Sequence, residues 1–222
     1  PSQPTEPEEP SSPSQPTKPE EPSSPSQPTE PEEPAKPSIK WTYRVESDTL
    51  KTAILTGYDE SGEQKPFGAV ELPEKVDGYT IVAIQANTFK NNNNITSISV
   101  PGTIKKIGSN AFQNGKNLVT VKIAEGVERI DSYAFYQTSL LEIELPKSVT
   151  YVGSQAFASN GALRKVTVNG TTSFEYGTFY NCVSLRQVAF LGATPEISSN
   201  MFYGCRQLQR VQLPSTLRVI QT

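Results

Sequence analysis

A phenylalanine returns at a nearly fixed interval through most of the chain, and this period limits the possible fold more than any other feature. The six members are Phe89, Phe112, Phe135, Phe157, Phe179 and Phe202. Successive members lie 23, 23, 22, 22 and 23 residues apart. A globular fold has no reason to repeat one spacing five times, whereas a solenoid places the same residue in every coil. We therefore predict a solenoid with coils of 22 or 23 residues.

A strand pattern accompanies each phenylalanine. An apolar residue is followed three positions later by a Val or Ile, and two positions after that by another apolar residue. The pattern begins at Phe67, Ile95, Leu118, Leu140, Leu163, Leu185 and Leu208. Such alternation predicts a half-buried strand, and stacking seven of them predicts a parallel sheet along one face. A second apolar position stands five residues before each phenylalanine, as at Ile84 and Ile107, and predicts the start of a return arm.

Residues 38–66 follow a different pattern. Trp41, Tyr43 and Val45 alternate with polar residues, and Ser47-Asp48-Thr49 supplies a turn before the next apolar run. We predict an N-terminal hairpin cap over 38–66, because the first coil of a solenoid otherwise exposes an apolar cross-section and an unpaired strand edge. This leaves residues 67–222 for about seven coils, the last of them incomplete.

The first 37 residues are dominated by proline. A 12-residue unit occurs three times, and proline occupies every third position from Pro1 to Pro37. A polyproline II helix has 3 residues per turn, so this period predicts a polyproline II tail with all its prolines on one edge. We interpret residues 1–37 as a stiff spacer. Two alternatives stay open: a ligand for a proline-recognition domain, and a segment that associates with itself.

Composition excludes several function classes. The net charge is −3, and acidic and basic residues are interspersed through the repeats, so the basic stripe expected of a nucleic-acid binder is missing from the sequence. No stretch approaches the 18 apolar residues of a transmembrane segment. The chain has no histidine, and no Ser, Cys or carboxylate has a spaced partner that the repeat leaves unexplained. We expect no nucleic-acid partner, no transmembrane segment, no metal, no cofactor and no catalytic residue.

The repeat unit L-x-x-I-x-L-P-x-x-V-x-x-I-G-x-x-A-F-x-x-C resembles that of the BspA-like leucine-rich-repeat family of cell-surface proteins. Residues 118–140 and 140–163 carry the unit almost throughout, and Cys182 and Cys205 occupy the family's Cys position. The resemblance extends over about residues 41–222. It implies an α/β-type leucine-rich repeat of mostly strand and turn content. It also implies an extracellular, surface-attached protein engaged in adhesion or in binding host components, without enzyme activity.

Cys182 and Cys205 occupy equivalent positions in neighbouring coils. Backbones about 4.8 Å apart are close enough for a disulfide, but two side chains that point the same way from parallel backbones rarely reach its dihedral angle. Two buried free thiols are therefore the favoured interpretation. A disulfide remains an alternative, and so does a metal or redox role, which the absence of CxxC and His disfavours.

The solvent side of the strands is the candidate binding face. It carries two columns of polar residues of mixed sign, and the candidate contact residues are Thr120, Lys122, Glu142, Glu144, Lys165, Thr167, Gln187, Arg210 and Gln212. Lys122 with Glu144, and Glu142 with Lys165, are expected to pair across neighbouring strands. The face is either simply solvated or a contact surface for protein or glycan.

Tyrosine offers rigid, amphipathic contact area, so Tyr180 and Tyr203, each directly after a repeat phenylalanine, form a candidate aromatic patch. The alternative is that these rings lie flat over the turns. The favoured function is that of a non-enzymatic surface adhesin that binds protein or glycan on another cell or matrix. The alternative is a structural or self-assembling envelope protein, with possible self-association through an uncapped C-terminal edge. In that last coil the next repeat phenylalanine would fall beyond Thr222.

Overall fold

The structure is a computed structural model that describes residues 39–62, 64–194 and 196–221. The predicted polyproline II spacer of residues 1–37 lies outside this range. The described residues form strands and turns and no helix. The strands are β1 (Trp41–Ser47), β2 (Thr52–Tyr58), β3 (Gly68–Glu71), β4 (Lys75–Val76), β5 (Tyr79–Ile84), β6 (Ile95–Val100), β7 (Lys106–Ile107), β8 (Thr120–Ile123), β9 (Arg129–Ile130), β10 (Glu142–Leu145), β11 (Tyr151–Val152), β12 (Lys165–Val168), β13 (Ser173–Phe174), β14 (Gln187–Phe190), β15 (Glu196–Ile197), β16 (Arg210–Gln212) and β17 (Val219–Ile220).

The repeats stack as a solenoid of about seven coils, which confirms the predicted fold. Each coil contributes one strand to a first ladder (β3, β6, β8, β10, β12, β14, β16) and another strand, mostly of two residues, to a second ladder (β5, β7, β9, β11, β13, β15, β17). All paired strands within these two ladders are parallel, as expected when every coil runs in the same direction. Apolar side chains from both ladders and from the turns meet in one continuous core.

The repeat phenylalanines form a column of stacked rings on the third side of the coil. Neighbouring ring centroids are 5.1–6.0 Å apart from Phe89 to Phe202, with planes within 15° of parallel. Five of the six rings are buried, and Phe202 in the last complete coil is half-buried. Each ring therefore fills its own coil and seals it against the next.

Two columns of left-handed backbone flank the phenylalanines, a feature that the sequence analysis missed. The second residue before the phenylalanine has a positive φ at Asn87, Asn110, Tyr133, Gln155, Gly177 and Asn200. The second residue after it does so at Asn91, Asn114, Gln137, Ser159, Asn181 and Gly204. Eight of these twelve positions hold Asn or Gly, which tolerate this conformation best, so the signal was present in the sequence.

Gly108 and Gly153 lie against the backbone of the preceding coil. A Cβ atom on Gly108 would approach the carbonyl oxygen of Ile84 to 2.6 Å, and one on Gly153 would approach the amide nitrogen of Ser132 to 2.5 Å. Neither distance is tolerable for a side-chain carbon. These two coils can therefore pack this closely only with glycine at the start of the return arm.

The hairpin of β1 and β2 extends the second ladder at its N-terminal end. Strand β1 pairs with β2 in antiparallel register, and β2 continues in parallel with β5, where it buries Ala53 and Leu55. Trp41 meets the ring of Phe89 edge-on at 6.2 Å, and Tyr58 stacks on the same ring at 6.4 Å. Tyr58 thus continues the phenylalanine column, a role that no local pattern indicated.

Phe67 is not a core residue, contrary to the expectation that it opens the first repeat. Its side chain is 78% exposed, whereas the preceding Pro66 is buried. Gly68 has a φ of 66°, and the pairing of β3 with β6 shifts register between Gly68 and Ala69. This bulge turns Phe67 outward, while Val70 and Leu72 keep their predicted buried positions.

Candidate functional site

The first ladder presents the predicted columns of side chains in alignment. Glu142 lies opposite Lys165, then Gln187 and then Arg210, and the second column runs from Glu144 through Thr167 and Ala189 to Gln212. On β8, Thr120 and Lys122 pair with the serines of β6. Of the nine candidate residues, all are exposed except Thr167, which is half-buried. The strands therefore hold these side chains on one solvent-facing surface, hereafter the strand face.

The expected ion pairs across the strand face do not form. In the described part of the chain, neither Lys122 with Glu144 nor Glu142 with Lys165 comes within salt-bridge distance. Glu144 instead accepts a hydrogen bond from the Asn169 side-chain amide at 2.8 Å. Long exposed side chains gain little from pairing in water, so register alone does not bring them together. Most charges of the strand face are consequently left to solvent.

The strand face is two sheets rather than the single sheet expected. Strands β3, β6 and β8 form one, and β10, β12, β14 and β16 form the other. Between β8 and β10 a cleft of about 390 Å³ opens, lined by Val121, Lys122, Ile123, Glu125, Glu144, Pro146 and Asn169. A neighbouring depression of about 490 Å³ reaches back across β6 to β3 and shares Lys122 and Ile123. Lys122 and Glu144, both predicted as contact residues, line the 390 Å³ cleft.

A smaller depression of about 150 Å³ lies further along the strand face. Its rim contains Lys165, Gln187, Arg210 and Gln212, which come from three successive strands. Val166, Val188 and Ala189 also line it, so it offers hydrogen-bonding groups beside a small apolar surface.

The two tyrosines of the candidate aromatic patch are in contact. The rings of Tyr180 and Tyr203 stack with centroids 4.9 Å apart and planes 14° from parallel. Tyr203 is 59% exposed and Tyr180 is half-buried, so one ring supports the other at the surface. Tyr176 is also exposed, on the preceding turn of the same coil. The pair belongs to the turns and not to the strand face.

Cys182 and Cys205 are free and buried. Cys182 Sγ donates to the backbone carbonyl of Phe157 at 3.2 Å, and Cys205 Sγ donates to that of Phe179 at 3.1 Å. Asn160 fills the same position one coil earlier, and its amide donates to the carbonyls of Phe135 and Phe157 at 2.8 Å each. The column thus adds side-chain donors to the buried carbonyl groups of the repeat phenylalanines.

Burial sets the chemistry of these thiols. It raises the pKa of Cys182 well above its usual range and raises the pKa of Cys205 to about 11. A thiol that remains protonated is a poor nucleophile and a poor metal ligand. The described residues also bring together no group of three or more Cys, Asp or Glu side chains that could hold a metal ion. The cysteines are therefore structural residues of the repeat.

A charged cluster on the second ladder was missed by the sequence analysis. Asp131 occupies the position that is glycine in other coils, and its carboxylate lies 2.6 Å from Arg129 Nε and 3.0 Å from Lys106 Nζ. The Arg129 guanidinium also lies 3.8 Å from the ring centre of Tyr151. The adjacent Asp131 raises the pKa of Arg129. Lys106 and Arg129 are both paired with Asp131, and the cluster joins side chains from three coils. It is therefore not an open binding site.

Comparisons with known proteins agree with this architecture. A family model for the BspA-type leucine-rich repeat region matches residues 82–209 and 172–222, with six copies of the repeat. A solved leucine-rich repeat protein of T. pallidum superposes with a TM-score of 0.71 at 25% identity, with 85% of each chain covered. One from Bacteroides capillosus gives a TM-score of 0.51 at 30% identity and covers 60% of this chain and 96% of that one.

The pneumococcal vaccine antigen PcpA shares the fold, with a TM-score of 0.50 at 16% identity over 81% of this chain and 69% of that one. A search of curated protein sequences gave no match. In the described part of the chain, no helix is both long and apolar enough to cross a membrane.

The matched residues span more than half of the chain, and they lie within the stacked coils. The family that the repeat unit resembled is thereby confirmed. The chain belongs to the BspA-type leucine-rich-repeat family.

Proposed function

We propose that this chain is a non-enzymatic, surface-attached adhesin that binds protein or glycan on another cell or matrix through its strand face. One observation carries the proposal: the strand face aligns exposed acidic, basic and amide side chains over successive coils without neutralising them among themselves. Such side chains retain their hydrogen-bonding capacity for a partner. Rigid strands also fix the backbone from which these side chains project, so binding orders side chains and no backbone.

The Pro-rich segment is proposed to act as a spacer. A polyproline II rod of residues 1–37 at about 3.1 Å per residue would hold the solenoid roughly 110 Å from its attachment point. This reach would present the strand face beyond the envelope. Extracellular, cell-surface localisation is part of the same proposal.

The Tyr180 and Tyr203 pair is a second candidate contact. An exposed ring held rigid by a stacked neighbour offers a ligand apolar area at low entropic cost. Tyr203→Ser removes this ring without opening the core, because most of the side chain is already exposed. A loss of binding in this variant, with unfolding unchanged, would assign the pair to the binding surface.

An array experiment tests the proposal. The whole chain is applied to immobilised matrix proteins and glycans beside Lys165→Glu/Arg210→Glu, which reverses two charges of the strand face. Lys90→Glu/Lys116→Glu makes the same change in net charge at exposed positions outside it. We expect a signal that the first variant loses and the control keeps. No binding to any protein or glycan would overturn the proposal.

The alternative is a structural envelope protein that assembles with itself through its C-terminal edge. Val219 and Ile220 of β17 are 48% and 62% exposed. A following coil of the same solenoid would cover these side chains equally well. Sedimentation of the chain distinguishes the two functions: self-association without array binding favours the structural role, and a monomer that binds array ligands favours the adhesin.

A further inference from the structure

Two contacts bound the break between β8 and β10. On one side, the amide of Leu141 donates to the carbonyl of Val119 at 3.2 Å. On the other side, the Glu125 carboxylate accepts from the amides of Lys147 and Ser148 at 2.9 and 3.1 Å. Among the described strands, no ladder pair joins β8 to β10 between these two contacts. The cleft of about 390 Å³ opens beside this gap, within the roughly 300–1,000 Å³ typical of small-molecule sites.

The polar groups at the cleft differ in their availability. Both carboxylate oxygens of Glu125 are used by the backbone, and the Lys147 amide foremost lowers the pKa of this carboxyl. Glu144 has one oxygen bonded to the Asn169 amide and a second that makes no hydrogen bond or ion pair within the described residues. The Lys122 ammonium likewise has no ion pair or hydrogen bond there. The cleft therefore offers one ammonium donor, one carboxylate acceptor and the Asn169 carbonyl oxygen.

Apolar side chains line the cleft together with these groups. Val121 is 8% exposed, Pro146 is buried and Ile123 is half-buried, and all three line the same cleft. An apolar patch bordered by a few polar groups is the usual build of a small-molecule site. The patch is small, and it is not a groove for a helix or an extended hydrophobic peptide.

The charged, polar and apolar groups of the cleft favour one class of ligand. A phosphate or sulfate group would need several cations, and here one lysine stands beside two carboxylates. A cationic side chain would face the Lys122 ammonium. A pyranose ring has hydroxyl groups that donate and accept, together with C–H faces that pack on apolar side chains. We propose that the cleft binds a hexose or N-acetylhexosamine unit of a glycan, an inference that rests on the proposed function and narrows it.

The neighbouring depression indicates the direction in which a bound glycan would extend. It shares Lys122 and Ile123 with the cleft and continues over Ser99 and Val100 toward β3. A second sugar unit would lie there, across the strands and parallel to the solenoid axis. We therefore expect a disaccharide to bind more tightly than its monosaccharide.

Saturation-transfer NMR on the whole chain tests the proposal. The probes are methyl β-galactopyranoside, methyl α-mannopyranoside, N-acetylglucosamine and N-acetylgalactosamine, with titration of any that respond. We expect at least one to receive saturation, and Lys122→Met or Glu144→Gln to weaken its binding by about tenfold or more. Lys116→Met makes the same chemical change as Lys122→Met at an exposed position outside the cleft and should leave binding unchanged.

The outcomes separate this inference from the proposed function. Saturation that persists in Lys122→Met and Glu144→Gln would place the sugar elsewhere and overturn the cleft assignment. Binding of a matrix protein on the array, with no sugar responding, would also overturn it and leave the adhesin proposal standing. Unchanged thermal unfolding of both variants is required for a loss of binding to count in its favour.

Discussion

The rings of Phe112 and Phe135 stack with centroids 5.1 Å apart and planes 3° from parallel, although 23 residues separate them. Five such contacts run from Phe89 to Phe202, so each ring inside the column is packed from above and below as well as by its own coil. The column therefore couples neighbouring repeats, and in a solenoid this nearest-neighbour term largely sets stability.

Removal of one ring from the middle of the column should be severely destabilising. Phe135→Ala deletes a fully buried ring with a stacked partner on each side, and we expect the free energy of unfolding to fall by about 3–5 kcal/mol. Urea denaturation measures the change. Phe67→Ala is the matched control, because that ring is mostly exposed and should cost less than about 0.5 kcal/mol. Equal costs would show that the column is not the core.

Asn160 should be replaceable by cysteine better than by alanine. Asn160→Ala removes the amide donor from the carbonyls of Phe135 and Phe157 and the side-chain acceptor of the Thr138 hydroxyl, at a cost of about 1–3 kcal/mol. The Thr138 hydroxyl and the Cys182 thiol still donate to these two carbonyls. Asn160→Cys restores one donor in the geometry that Cys182 uses one coil later. We expect the cysteine variant to unfold at a higher urea concentration than the alanine variant. Coincident unfolding curves would contradict the role assigned to this column.

Gly153 should tolerate substitution poorly, because it lies against the backbone of the preceding coil. Gly153→Ala forces a Cβ atom onto the Ser132 backbone, and we expect a loss of about 1–3 kcal/mol in the free energy of unfolding. Gly161→Ala is the control, because its nearest neighbour would be a Val183 methyl group at 4.0 Å. Thermal denaturation of the two variants makes the comparison. A Gly153→Ala protein as stable as the control would mean that the coils can separate freely.

Alkaline pH should destabilise the fold partly through its thiols. The pKa of Cys205 is raised to about 11 and that of Cys182 is raised further, so above about pH 9 the unfolded chain loses these protons first. The thiol contribution to stability is therefore complete below about pH 9 and is lost as pH rises toward the folded-state pKa values. Between about pH 9 and 11, each thiol should steepen the decline by up to about 1.4 kcal/mol per pH unit.

Urea denaturation at several pH values, with Cys182→Ala/Cys205→Ala as the comparison, isolates this effect from the titration of tyrosine and lysine. The double variant should have a lower free energy of unfolding below about pH 9. This free energy should then fall less steeply as the pH rises. Parallel pH profiles for the two proteins would show that the thiols do not ionise on unfolding.

The repeat period predicted most of the fold because a solenoid uses each sequence position in the same way in every coil. Phe135, Ile107 and Val166 could all be placed in the core from their column alone. Phe67 could not, since the bulge at Gly68 belongs to one coil and breaks the pattern locally. Tyr58 was missed for a related reason, because it lies outside the repeats and 31 residues from its partner Phe89.

The candidate site was less predictable than the fold. Strand alternation correctly placed Glu142 and Lys165 opposite each other, but their contact depends on side-chain rotamers that solvent leaves free. The missing ladder between β8 and β10 has no counterpart in repeat length, because Thr120 and Glu142 are 22 residues apart, like Lys165 and Gln187, which do pair. The cleft between them could therefore be found only in three dimensions.

The most direct test of the strand face as the binding surface is the affinity of the whole chain for its strongest array ligand. Equilibrium binding is measured for the wild type, for Lys165→Glu/Arg210→Glu and for the Lys90→Glu/Lys116→Glu control. We expect the strand-face variant to bind at least about tenfold more weakly, while the control matches the wild type. Equal affinity of all three proteins, and of Lys122→Met, would contradict the assignment of the strand face as the contact surface.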